Sequence, residues 1–461
     1  MIYNIKIMSK KKLHIQLLKS INCYNYHIES FSYNTISIID SILNKFRLKK
    51  KNMDIKVNNI FYKKYPKCTF KYCFFIDTII NILENKNNEL LIADYNNDIH
   101  KILNILNNNY NLYLDFFIKN RLFNGGAKHL QQIYNKFIFP DIQREIERNL
   151  TKCFTITGTI LNVKYNISIY FTNHHDYIKL QDIINDLLFR CYFMLLLNNN
   201  NKPNYLPIKI FLTNKNKKIT DFNNIFLGVY NVNSGCTNKS NDKQYGEIII
   251  WRQEEMGKVL IHELIHSLSY DFFHYSKHIN LEITKYFDLD NVNINFFEAY
   301  TETWAVIFNC IVISIKNNDK NIETLLKLEI TFSIFQMSKI LKYYGYKNYN
   351  EFYLGLNKNN NNNNSSKFRQ GSSIFSYYIL KTILLYNINI FLSFCSKING
   401  PKYPWIFRSS PTIFWNFIKT LLDDSLFINI INNCMESITF NNDTLKLYSL
   451  QNLRMTINEF V

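Results

Sequence analysis

Two runs of period two, FTITGTIL from Phe154 to Leu161 and KYNISIYF from Lys164 to Phe171, flank a short polar turn. Such alternation gathers the apolar side chains on one face of an extended chain, so the pair reads as a β-hairpin with one buried face. The next segments limit how that face is covered. Asp176 to Leu197 carries apolar residues at 180, 183, 184, 187, 188, 191 and 195, one side of a helix that Asp176 is suited to cap. YLPIKIFL (Tyr205 to Leu212), FLGVYNV (Phe226 to Val232) and GEIIIWR (Gly246 to Arg252) are each short, branched or aromatic and bounded by turn residues, and they read as three further strands. A second apolar helix then runs through Lys258. The order strand, strand, helix, strands, helix predicts an α+β fold: a β/α subdomain over residues 151–270 with a mixed sheet and a backing helix, then a mainly helical subdomain over 271–461. With 461 residues, 47% of them hydrophobic, the chain can bury a large core.

Residues 1–150 read as a basic, mainly helical region of unknown role, with helices over Ile79 to Leu91 and Asp141 to Leu150 among Asn-rich loops. Residues 1–67 hold fourteen Lys or Arg against three Asp or Glu, including Lys10–Lys12 and Lys49–Lys51, within a net charge of +18. Such an arm is suited to anionic contacts. The clusters lack interleaved stacking aromatics, Gly-rich loops and zinc-finger spacing, so specific nucleic-acid binding is not expected. The abundance of Asn and Lys fits AT-rich coding, and the Asn run at 359–364, within 357–366, reads as a solvated linker. Nine cysteines, an odd number with no CxxC pair, argue against a disulfide framework and against a thiolate zinc knot. The start MIYNIKIMSKKKLHIQLL does not have the pattern of a secretory signal. Trp304 to Ile315 and Ile383 to Cys395 fall short of the ~18–20 apolar residues that span a bilayer. The expectation is an intracellular protein without membrane association, its oligomeric state open.

The chemistry concentrates in KVLIHELIHSLSYDFFH, from Lys258 to His274. On a helix His262 and His266 lie on one face, close enough for both imidazoles to bind one Zn²⁺ at ~2.0–2.1 Å. Ile261, Ile265 and Leu268 form a separate apolar stripe that would hold the helix to the core. Glu263, offset by about 100 degrees, can reach a water at the metal without ligating it. With ten histidines in the whole chain, H-E-x-x-H is expected by chance on the order of 0.01 times.

Two ligands need a third. The metzincin pattern requires glycine at 269 and histidine at 272, where this chain has Ser269 and Phe272, so that subclass is excluded. His274 and His278, in a loop-like stretch, read as surface or core histidines. FFEAYTETWAVIF (Phe296 to Phe308) is an apolar helix with Glu298 and Glu302 on one face, and acids on a buried helix need partners. Zinc supplies one: Glu298 as third ligand, with Glu302 accepting the outer N–H of a ligating histidine. The exchanged assignment, Glu302 as ligand, fits the same spacing, and so does a salt-bridged glutamate pair without metal.

NVNSGCT (Asn231 to Thr237), WRQEEMGKVLIHELIHSL (Trp251 to Leu268), FEAYTETWA (Phe297 to Ala305), FSYYILK (Phe375 to Lys381) and LRMT (Leu453 to Thr456) together resemble the uncharacterised zinc metallopeptidases encoded by nucleocytoplasmic large DNA viruses. The resemblance covers residues 150–461. It implies a zincin-like fold and a gluzincin-type active site, in which an acidic residue four positions after the ligand glutamate has the role proposed for Glu302. HELIH also occurs in clostridial neurotoxin light chains, a likeness too short to point beyond the gluzincin class.

The expected activity is zinc-dependent hydrolysis of peptide bonds in a polypeptide substrate, with Glu263 as general base. Strand Gly246 to Arg252 is the expected sheet edge for an extended substrate. Tyr378, in the helix expected over Ser372 to Asn387, is the favoured oxyanion donor, with Tyr377 and Arg454 as alternatives. A reading of another class is a catalytically silent, zinc-stabilised binding or virion protein that uses the basic arm for contacts. The expected location is host cytoplasm or virion.

Overall fold

The computed structural model describes residues 32, 35, 37–39, 42 and 138–459, the last range without 151, 161–162, 173–176, 198–202, 221–224, 239–245, 273–275, 290–293, 318–321, 354–367, 401 and 439–449. The expected helix over Ile79 to Leu91, the basic arm apart from those few positions, the cap Asp176, His274 and the Asn-rich linker lie outside the described residues. The protein forms two compact units, one taking in Ile42–Lys215 and Ser234–Leu268, the other Met1–Ser41, Asn216–Asn233 and Ser269–Val461.

The first unit is built on a mixed sheet. Helix α1 (Pro140–Asn149) starts on a proline and buries Ile142 and Ile146, one turn apart. Strands β1 (Lys152–Ile160) and β2 (Val163–Phe171) pair antiparallel with Ile160 opposite Val163, so the expected hairpin forms around a two-residue connection. Its alternation has the expected result: Val163, Tyr165, Ile167, Ile169 and Phe171 are all buried. Helix α2 (Tyr177–Leu197) is enclosed on more than the one stripe, because Phe189, Tyr192, Phe193 and Met194 are buried along with Ile183, Ile184, Leu187, Leu188, Cys191 and Leu195. It is the crossover that lets β3 (Tyr205–Phe211) lie parallel to β2.

The expected strand FLGVYNV does not form as one. It divides into a two-residue strand β4 (Leu227–Gly228) and a single helical turn α3 (Val229–Val232). The Asn231 carboxamide is the reason: its Oδ1 accepts the Gly228 N–H at 2.9 Å and its Nδ2 donates to the Lys218 carbonyl at 2.9 Å, folding the chain back on itself. The fifth strand of the main sheet is instead β5 (Gly235–Asn238), followed by β6 (Glu247–Ile250). The strand order is β1-β2-β3-β6-β5, with β6 parallel to β3 and antiparallel to β5. The expectation that Gly246 to Arg252 forms a sheet edge is therefore corrected: β6 is paired on both sides, and β5 is the edge.

Helix α4 (Met256–Ser267) packs on α2, β5 and β6. It enters through Glu255 at φ 58° and ends before Ser269 at φ 55°, two left-handed positions held by residues other than glycine. Gly257 has a steric role. A Cβ there would collide with the guanidinium of Arg190, which is 2% exposed and bonded through Nε to Asp186 at 2.7 Å.

The second unit is mainly helical: α5 (Lys277–Tyr286), α6 (Phe297–Asn317), α7 (Ile322–Tyr343), α8 (Tyr349–Tyr353), a π-helical segment Phe375–Leu380 running into α9 (Lys381–Tyr386), α10 (Ile388–Asn399), α11 (Pro411–Lys419) and α12 (Ser425–Ser437). Here β4 finds its partner in β7 (Gln370–Gly371). Aromatic side chains fill the core around α6: the Tyr300 ring packs edge-on against Phe391, Phe407 and Phe414, and its hydroxyl donates to the Trp405 carbonyl at 3.0 Å. Among the described residues no single helix is long and apolar enough to cross a membrane.

Candidate metal centre

The rise and pitch of α4 bring His262 and His266 together as the four-residue spacing requires. Their Nε2 atoms lie 3.1 Å apart, and the rings meet at 79° with centroids 4.8 Å apart. Two nitrogens bound to one tetrahedral ion at ~2.0–2.1 Å are about 3.3–3.4 Å apart, so little adjustment converts this pair into two ligands. His262 is buried and His266 half-buried. Ile261, Ile265 and Leu268 are buried, but so is every residue of α4 except His266, so the helix is enclosed all round and not on the expected stripe alone.

Glu298 stands in the first turn of α6, where the helix N-terminus favours a carboxylate. Glu302, one turn on, is buried. Between them Thr301 donates to Asp271 Oδ2 at 2.9 Å, and on another face Tyr300 and Trp304 enter the aromatic core, so the helix is held at both its polar and its apolar sides. His262 and His266 belong to the first unit and Glu298 to the second, and each offers one ligand atom. Two imidazoles and one carboxylate are a donor set that zinc accepts while keeping a position open for water.

Glu263 is buried, and its carboxylate is held by the neighbouring strand: the Thr237 hydroxyl lies 2.7 Å from Oε2 and 3.0 Å from the Glu263 carbonyl oxygen. Gly235, two residues back on β5, makes room. A Cβ there would stand 2.9 Å from Glu263 Oε1 and 2.8 Å from Val259 Cγ1. Sequence reasoning assigned no chemistry to either residue, although both belong to the NVNSGCT stretch. The signal was a glycine and a hydroxyl at alternate positions of a segment too short to show strand periodicity.

Other expected residues fall elsewhere. Phe272 packs against Phe407 at 4.0 Å between centroids with the rings tilted by 32°, within the aromatic core. His278 is exposed on α5, 3.9 Å from Glu282. Tyr378, the expected oxyanion donor, is 0% exposed and its hydroxyl donates to the Leu453 carbonyl at 2.5 Å. Arg454 is likewise engaged, its guanidinium donating to the carbonyls of Thr456 and Glu459. Tyr377 is half-buried on the π-helical segment. For Tyr378 and Arg454 the physical reason is the same: residues 452–458 run through the interior of the helical unit, and their backbone needs buried partners. Gln336 donates to the Arg454 carbonyl at 2.5 Å and Lys381 to that of Met455 at 3.4 Å, while the buried Glu329 accepts from the Ile457 and Asn458 amides at 3.1 and 3.0 Å and from the Thr456 hydroxyl.

The described cysteines are free thiols. Burial, with the charges of Glu263 and Glu247 adding to it, pushes the Cys236 thiol well up and disfavours its thiolate. Burial pushes the Cys191 thiol up to about 12.

No family model matches the chain, and no solved structure matches it. The chain is 31% identical over 226 residues to an uncharacterised protein of Acanthamoeba polyphaga mimivirus, the match covering 46% of this chain and 54% of that protein. The chain thus spans about half the length of the viral relative it matches.

Proposed function

We propose that this protein is a zinc-dependent peptidase of the gluzincin type on a zincin-like scaffold. The observation that carries the reading is the histidine pair on α4, the Nε2 atoms of His262 and His266 3.1 Å apart, with the Glu263 carboxylate held on the same helix by Thr237; Glu298 is the third ligand of this reading. Zinc held there would lower the pKa of water towards ~7 and polarise a scissile carbonyl. Glu263 accepts the proton of the attacking water and returns it to the leaving amine. Glu302 accepts the outer N–H of a ligating imidazole and fixes its tautomer. An extended polypeptide pairs along β5, whose outer backbone groups face away from β6 in the strand order. The five-stranded mixed sheet, the helix crossing between β2 and β3, and the placement of α4 against β5 and β6 support the scaffold assignment. The viral relative supports a working site in an infected host's cytoplasm or in the virion.

The test combines zinc content with a substrate-profiling digest of the wild type and of Glu263→Gln. Stoichiometric zinc in both proteins and cleavage by the wild type alone support the peptidase. Zinc in both with cleavage by neither would replace it with a zinc-stabilised binding protein.

A further inference from the structure

The edge strand does more than cover one side of α4. Its residues at 235 and 237 point the same way, and both meet the side chain of Glu263. Thr237 brings a hydroxyl 2.7 Å from Oε2, while Gly235 leaves free the volume beside Oε1 that any Cβ would take. The φ of Gly235 is outside the left-handed region, so backbone strain does not explain a glycine there. The close approach of the Glu263 and Val259 side chains does. A glutamate has three side-chain torsions, and without such contacts its carboxylate samples several rotamers.

We infer that Thr237 and Gly235 are positioning residues that hold the Glu263 carboxylate in one rotamer, Thr237 by donating to Oε2 and Gly235 by the absence of a side chain. The inference rests on the peptidase reading only for its kinetic consequence. The placement of the carboxylate is a property of the chain itself. Because Thr237 and Gly235 lie on β5, an occupant pairing along that edge also presses on the strand that orients the base, so docking and proton transfer share one element.

The experiment uses the full-length protein with Thr237→Val, Thr237→Ser and Gly235→Ala. Crystal structures locate the Glu263 carboxylate, mass spectrometry measures bound zinc, and peptide hydrolysis gives kcat and KM separately. The expected result is a displaced carboxylate in Thr237→Val and in Gly235→Ala and a wild-type position in Thr237→Ser. Where the wild type hydrolyses peptides, kcat falls about 10- to 100-fold in the first two, with KM and zinc content held, and Thr237→Ser recovers it. A carboxylate that stays in place in Thr237→Val, or an unchanged kcat in that variant, overturns the inference. Should the wild type hydrolyse nothing, the peptidase reading falls, and the carboxylate position in the three variants still decides the positioning role. If Thr237→Val does not fold, Gly235→Ala, which keeps the hydroxyl and adds only a methyl group, supplies the same comparison.

Discussion

The hydroxyl of Tyr378 donates to the main-chain carbonyl of Leu453 across 2.5 Å in a fully buried position. A tyrosine spent on a backbone carbonyl serves the fold, and its removal is read in stability. Tyr378→Phe leaves that carbonyl without its donor, a loss of about 1–3 kcal/mol. Calorimetry is expected to show a lower Tm with zinc content unchanged. An unchanged Tm would show that the hydroxyl is not needed there.

Gly257→Ala sets two effects against each other. Alanine in place of a helical glycine gains about 1 kcal/mol of propensity. Its Cβ, however, collides with the Arg190 guanidinium, and that group is ion-paired and almost wholly buried. Overpacking of this kind costs about 1–3 kcal/mol, and displacing a buried ion pair adds to it. A net fall in denaturant midpoint is expected, and a rise would mean that Arg190 moves aside freely.

The ligand assignment is tested by ranking two variants. Glu298→Ala is expected to lose stoichiometric zinc and the thermal stabilisation that added zinc gives. Glu302→Gln is expected to retain zinc with affinity about 10- to 100-fold weaker. Mass spectrometry under native conditions and zinc-competition titration measure both. The reverse ranking would transfer the ligand role to Glu302.

Glu329 makes stability depend on pH. Burial raises its carboxyl above the ordinary 4.5, against the lowering effect of the Thr456 hydroxyl, the Asn458 and Ile457 amides and the Lys381 charge. With a folded value above the unfolded one, its contribution is complete below about 4.5 and fades as pH rises through the raised value. Tm of the wild type is therefore expected to fall more steeply between pH 4.5 and neutrality than Tm of Glu329→Gln, which keeps an acceptor at Oε1 and cannot ionise. Parallel profiles for the two proteins would remove Glu329 from the pH response.

Ser269 occupies φ 55° just after α4 and is exposed. A left-handed residue with a Cβ costs about 1–2 kcal/mol, of which glycine recovers part at the expense of chain entropy. Ser269→Gly is expected to raise Tm slightly without altering zinc content, and a lower Tm would count against relief of strain at this position.

The hairpin and α2 were legible because each carries a periodic pattern that packing then obeys, as the buried series Val163, Tyr165, Ile167, Ile169 and Phe171 illustrates, and β3 because it is branched, short and bounded by turn residues. The histidine pair was legible because its geometry is fixed within one helix. The strand order was not. β5 has four residues and no readable alternation, and only its pairing with Ile248 to Ile250 makes it a strand. FLGVYNV has the composition of a strand, yet the Asn231 carboxamide turns it. Tyr378 and Arg454 look like free polar groups in sequence because the carbonyl that a side chain serves leaves no mark there, and for the tyrosine it is 75 residues away.

In the chain β5 precedes β6, and in the sheet it lies outside it. Its amides and carbonyls have a partner strand on one side only. A short strand paired on one side opens at less cost than the strands paired on both. Amide hydrogen exchange should thus be graded across the sheet, slowest along β2 and β3 and fastest along β5. The grip on Glu263 then has a lifetime set by the fraying of one short ladder, so orientation of that carboxylate is a renewable state and not a permanent one.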